Sequence, residues 1–157
     1  MSKLANVWVF SDNVERYAEL MAGARQWGEH VHLIVQGSEQ ANQVKPLGAD
    51  EIIVLEAPSG LQRVENYAET IAAQMQEHAG MLLMPATKRA KSLGARLSIQ
   101  LNAAMVNDAI SVTLEDDTVF AEHRMYGGLA FGKEKIKSAL AIITLAPGAV
   151  SYTHLRA

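Results

Sequence analysis

At 157 residues, with 49% hydrophobic and 20% charged residues, the chain has the composition of one ordinary globular domain with a proper core. The formal charge of −3 excludes the basic face and raised pI of a nucleic-acid binder, so any basic patch must be local. No apolar run approaches the roughly 20 residues that cross a bilayer, which excludes membrane insertion by a helix. The absence of cysteine rules out disulfides, thiolate metal centres and iron–sulfur clusters within the chain, and a cytoplasmic location is the expectation.

The amino terminus leads within a few residues into Ala5–Phe10, a strand-like apolar run with too short a core for a secretory signal. Ser11, Asp12 and Asn13 then offer N-caps for a helix in which Val14, Tyr17, Ala18, Met21 and Ala24 recur at helical spacing as far as Trp27, with Gly28 as its stop. His30 to Val35 reads as a second strand. A short helix from Glu39 to Lys45 ends before Pro46, and Leu47–Asp50 is a turn. The β-branched run in Glu51–Leu55 reads as a third strand, and Pro58-Ser59-Gly60 as a turn. Leu61, Val64, Tyr67, Ala68, Ile71 and Met75 mark a third amphipathic helix, ended near His78 by Gly80.

Met81–Met84 reads as a buried strand that Pro85 ends. Thr87 stands at the N-cap of a following helix, with Ala90, Leu93, Gly94, Leu97 and Leu101 on one face. Lys88, Arg89 and Lys91 occupy the first turn of that helix, where the free N–H groups already carry positive partial charge. Something negative must compensate them: an anion such as phosphate, or the carboxylates of a partner. Thr87, Lys88, Arg89 and Lys91 are therefore the candidate anion or partner contacts.

Four strand–helix alternations with near-continuously apolar strands predict a doubly wound, mostly parallel α/β sheet covered on both faces. The last third, with strand-like runs at Met105–Thr113, Thr118–Met125, Leu129–Ile136 and Ala139–Leu145 joined by short turns, predicts an antiparallel C-terminal extension. Residues 1–150 form the domain. Residues 151–157 have no period and nothing to bury, as in a linker stub or an expression remnant.

Few residues offer chemistry. Gly127–Lys133 matches seven positions of a phosphate loop, but Glu134 replaces the hydroxyl that would hold magnesium, and a strand follows instead of a helix. His30 and His32 share a strand face without a third ligand, and His78 and His123 lack a nucleophile or carboxylate at useful spacing. No nucleophile elbow and no G-x-G-x-x-G is present, so no catalytic or metal-ligating residue is assigned. In an open α/β sheet, ligands sit at the carboxyl ends of the strands, here Ser11–Asn13 and Ala86–Lys88, two loops that could flank a topological switch. Tyr17, Trp27 and Tyr67 lie on or beside apolar helical faces, as core residues do.

Met84-Pro85-Ala86-Thr87, the helix Leu93–Leu101, Val106-Asn107-Asp108, Tyr126-Gly127-Gly128 and Ile143–Ala149 resemble, in that order, the amino-terminal domain of the electron-transfer flavoprotein alpha (large) subunit. Leu20–Arg25 and Gly48-Ala49-Asp50 are similar to the same family, so the likeness extends over nearly the whole chain to Val150. The resemblance implies an adenine nucleotide alpha hydrolase-like α/β layer that packs on a beta subunit and on its own carboxy-terminal flavin domain. FAD would be held by that second domain with help from the beta subunit, and not by residues 1–157 alone. It further implies a non-enzymatic electron carrier, accepting electrons from a dehydrogenase donor, acyl-CoA dehydrogenases among the candidates, and passing them to a downstream acceptor. Without its partners the chain is expected to self-associate through uncovered apolar surface. The alternative is a free-standing adenine-nucleotide-binding protein of the universal-stress type, with phosphates near Thr87–Lys91 or Gly127–Lys133, although it would lack the usual glycine-plus-hydroxyl loop.

Overall fold

The computed structural model describes residues 3–56, 67–76, 78–115, 118–125, 130–136 and 138–149. Eight strands form one sheet: β1 (Leu4–Phe10), β2 (Gly28–Gln36), β3 (Glu51–Leu55), β4 (Gly80–Pro85), β5 (Ala104–Glu115), β6 (Thr118–Met125), β7 (Ala130–Ile136) and β8 (Leu140–Leu145). Four helices accompany them: α1 (Tyr17–Trp27), α2 (Gly37–Val44), α3 (Ala68–Met75) and α4 (Lys88–Leu101). The strand order is β3-β2-β1-β4-β8-β5-β6-β7, parallel from β3 to β5 and antiparallel across β5, β6 and β7.

The period of two along each strand sends alternate side chains to two separate cores. Val7, Val9, Leu33, Met81, Leu83, Ile143 and Leu145 meet Tyr17, Leu20, Ala24 and Val44 on one face of the sheet. Trp8, Phe10, Ile34, Leu82, Met84 and Ile142 meet Ile71, Met75, Leu93 and Leu97 on the other. Strands buried on both sides are why β4 and β8 are apolar except for Thr144, every residue of each being buried. This is the doubly wound, mostly parallel sheet expected from the alternation, with an antiparallel portion at one edge.

One strand departs from the expected arrangement. Ala139–Leu145 was expected in the antiparallel extension because only a short link precedes it, yet β8 lies between β4 and β5 and runs parallel to both. Its apolar run, interrupted only by Thr144, suits a central strand, not an edge. β5 makes the insertion possible: its first residues pair with β8, its later ones with β6, and the register shifts between Val106 and Ala109. Ser138 Oγ accepts from the Ala104 N–H at 3.0 Å, anchoring the returning chain beside the start of β5.

Smaller differences have local causes. Ala18 is exposed and Leu20 takes its place on the buried face of α1, which follows a short 3-10 turn at Val14–Arg16. Gly28 does not merely stop α1 but opens β2 in an extended conformation (φ −123°). Pro46 lies inside a 3-10 turn (Lys45–Leu47) that continues α2, and Pro85 is the last residue of β4, beside Leu145. The following turn is fixed by Gly48 in the left-handed region (φ +76°) and by Asp50, whose carboxylate accepts from the Val31 N–H at 2.8 Å and pairs with Arg25 Nη1 at 3.1 Å. That backbone donor, with the Arg25 guanidinium, holds the Asp50 carboxyl below the usual carboxylate range. Leu61, Val64 and the turns at residues 58–60 and 126–128 fall outside the described residues, as do residues 151–157.

Gly80 was read as a helix stop, but α3 ends at Met75 and Gly80 opens β4 against β1. A Cβ there would lie 2.0 Å from the Asn6 carbonyl oxygen and 3.0 Å from Trp8 Cζ3, so only glycine lets the two strands meet. Gly80→Ala is expected to lower stability by about 3 kcal/mol, read as a lower urea midpoint. Gly37→Ala, with nothing within 4 Å of its Cβ and only its φ of +82° against it, should cost about 1 kcal/mol.

Candidate functional site

The order in which strands are added reverses between β1 and β4, which are parallel: β2 and β3 lie on one side of β1, and β4 lies on the other. The β1–α1 and β4–α4 loops therefore flank a topological switch, where ligands of such sheets collect. Here the chain's own side chains hydrogen-bond around and across it. Ser11 is fully buried, its Oγ donating to the Asn13 carbonyl at 2.6 Å and accepting from the Asn13 N–H at 3.0 Å. Asn13 Oδ1 caps the 3-10 turn by accepting from the Glu15 N–H at 3.0 Å. The buried Tyr17 hydroxyl sits between the carbonyls of Ser11, at 3.2 Å, and Ile34, tying the carboxyl ends of β1 and β2 together. Burial pushes that hydroxyl well above the ordinary tyrosine range, so it stays a donor.

Thr87 closes the crevice from the other side. Its Oγ1 accepts from the Ala90 N–H at 3.2 Å, as an N-cap does, and donates to Asp12 Oδ1 at 2.8 Å. The carboxylate of Asp12 thus sits at the positive end of α4, where a bound anion would otherwise be stabilised. Lys91 has a second internal anion: Nζ lies 2.7 Å from Asp108 Oδ2, with the two side chains 37% and 50% exposed. Asp108 stands on the β5 irregularity in the left-handed region (φ +56°). Its N–H donates to Oγ1 of the fully buried Thr144 at 2.9 Å, and that hydroxyl donates to Asn107 Oδ1 at 3.2 Å.

Of the four candidate residues, Thr87 and Lys91 are therefore engaged within the chain. Lys88 and Arg89 are exposed, and neither has an ion pair among the described residues. Neither Asp12 nor Asp108 stands out as a partner of α4 in the sequence, because one lies in the β1–α1 loop and the other within β5, and only the strand order brings them to this end of the sheet. Thr144 was hidden in an apolar run.

The remaining motifs resolve structurally. Of the phosphate-loop-like run, Gly132, Lys133 and Glu134 lie on the edge strand β7; Lys133 Nζ rests 5.1 Å above the Phe120 ring and Glu134 Oε1 lies 3.3 Å from His123 Nε2. His123 thus gains a cross-strand carboxylate that its sequence neighbours do not supply. His30 is exposed, while His32 is held between Asn6 and Glu51, and no metal-binding cluster occurs among the described residues. A phosphate entering the switch point as built would face the Asp12 carboxylate and compete with it for the Thr87 hydroxyl.

The comparisons with known proteins bear on the same conclusion. Residues 15–155 match the family described as the electron transfer flavoprotein domain. The chain belongs to that family. It is 62% identical over 149 residues to an Escherichia coli (strain K12) protein named as the electron transfer flavoprotein subunit YdiR, covering 94% of this chain and 48% of that one. Protein FixB of Salmonella typhimurium (strain LT2) is 41% identical over 150 residues, with the same coverage of 94% and 48%. Protein FixB of Escherichia coli O127:H6 is 36% identical over 150 residues. The chain spans about half the length of these curated relatives. No helix among the described residues is long and apolar enough to cross a membrane.

Thr87→Val removes both the cap and the Asp12 bond and is expected to cost about 1–2 kcal/mol in urea unfolding. Lys88→Glu with Arg89→Glu, at exposed positions, should stay within about 0.5 kcal/mol of the parent.

Proposed function

We propose that this domain is the amino-terminal scaffold and subunit-interface domain of an electron-transfer flavoprotein alpha-type subunit, and that residues 1–150 form that domain, with 151–157 a tail or linker. The full protein would carry FAD in a further, carboxy-terminal domain completed by a beta subunit. It would take electrons from a dehydrogenase, acyl-CoA dehydrogenases among the candidates, and hand them to a downstream acceptor as a carrier, not an enzyme, in the cytoplasm. Support comes first from the family match over residues 15–155 in relatives about twice as long. The observation that carries the scaffold part is the Asp12–Thr87 bond, which bridges the switch point with the chain's own carboxylate. The crevice hydroxyls of Ser11, Tyr17, Thr87 and Thr144 are all engaged in internal hydrogen bonds, which also supports the reading.

Lys88 and Arg89 are in this reading the docking edge for a partner's carboxylates, because Asp12 and Asp108 already supply the internal anions of this helix end. Ile99, 82% exposed on α4, adds apolar surface that favours self-association when partners are missing. Co-expression with a tagged beta-type subunit tests the proposal: the parent chain should co-purify, and Lys88→Glu with Arg89→Glu should weaken capture at least tenfold while leaving the fold intact. Failure of the parent to co-purify would contradict the scaffold reading, and equal capture of parent and variant would remove these two residues from the interface.

A further inference from the structure

Three strands converge on His32 at the amino edge of the parallel sheet. The imidazole belongs to β2; Nδ1 lies 2.8 Å from Glu51 Oε1 on β3, and Nε2 lies 2.9 Å from Asn6 Oδ1 on β1. The orientation of the Asn6 amide is set by its other end, where Nδ2 donates to the Ala79 carbonyl at 3.3 Å, so its oxygen faces the ring. An ionised carboxylate and an amide oxygen have no proton to give. A neutral imidazole has one N–H, and its second nitrogen would set a lone pair against an oxygen lone pair at under 3 Å. Only the doubly protonated ring donates to both oxygens. The same ring stacks on Trp8, centroids 5.3 Å apart and planes 23° apart, and an indole face attracts a cation.

We propose that His32 is a charge-gated latch on the edge strand β3, closed when the imidazole carries both protons and opened by loss of one. Position in the sheet gives the latch its leverage. β3 is the outermost strand, it pairs with β2 alone, and the register sets Glu51 directly opposite His32. The Asp50 carboxylate next to Glu51 cannot substitute as the tie, because it is engaged by the Val31 N–H and Arg25. The other titratable groups nearby are His78, also against Trp8 at 6.1 Å, and the exposed His30. The His32 side chain is 18% exposed, so its protons exchange with solvent without unfolding. Histidine is the side chain whose charge most readily changes near neutral pH, so pH is the variable that tests the latch.

Two measurements on the intact chain test it. Nitrogen-15 spectra of the imidazoles should show both ring nitrogens of His32 protonated at pH 6. Between pH 6 and 8.5 the hydrogen-exchange protection factors of residues 52–55 should fall roughly tenfold relative to those of β4, following the loss of one charged hydrogen bond. His32→Gln should show the low β3 protection at both pH values, and His78→Gln should keep the parent's pH response. A singly protonated His32 at pH 6, or β3 protection that varies with pH equally in the parent and in His32→Gln, would overturn the proposal. If His32→Gln fails to fold, the ring spectrum of the parent decides.

Discussion

The hydrogen bond from Thr87 to Asp12 joins the two halves of the sheet at the point where the order of strand addition reverses. It caps α4, sets a carboxylate at that helix's positive end and bridges the crevice that an open α/β sheet leaves between β1 and β4. The pairing of β1 with β4 beneath it depends on Gly80, because any side chain there would strike the Asn6 carbonyl. Around this junction the carboxyl edge is stitched by groups of the chain itself: Ser11 to Asn13, Tyr17 to the ends of β1 and β2, Lys91 to Asp108, and Thr144 to Asn107 and Asp108. The hydroxyls of this edge, at Ser11, Tyr17, Thr87 and Thr144, are paired with groups of the chain itself, as in a framework, whereas the buried Arg16 Nη2 has no partner among the described residues.

Much of this was legible in the sequence. Helical spacing located α1 and α4, continuous apolar runs marked the parallel strands, and Thr87 announced its cap. Strand order was not legible for β8: local periodicity gives an element's type but not its neighbours, and the short connection before it suggested an antiparallel neighbour. The stronger signal was the nearly continuous apolar run of β8, every residue of which is buried, since an edge strand would show alternation. Gly80 was misread because a glycine that ends a helix and one that permits a close backbone approach look the same in one dimension.

The candidate site divides along similar lines. The cationic first turn of α4 was visible, and so was its need for negative charge, but the partners lie 75 and 17 residues away along the chain, from Thr87 to Asp12 and from Lys91 to Asp108. No pattern in a single sequence links such positions; only the packing of β1, β4 and β5 does. Once those two anions are placed, Lys88 and Arg89 stand apart from Lys91, and the cluster of three cations becomes one internal pair and two outward-facing charges.

The central proposal is that the switch point is bridged by the protein's own Asp12–Thr87 hydrogen bond and takes no dinucleotide. Titration of the nitrogen-15-labelled chain with FAD, followed by amide shifts at residues 11–13 and 86–91, tests it most directly. The account predicts that those amides do not move at millimolar FAD; saturable shifts confined to those two loops would contradict it.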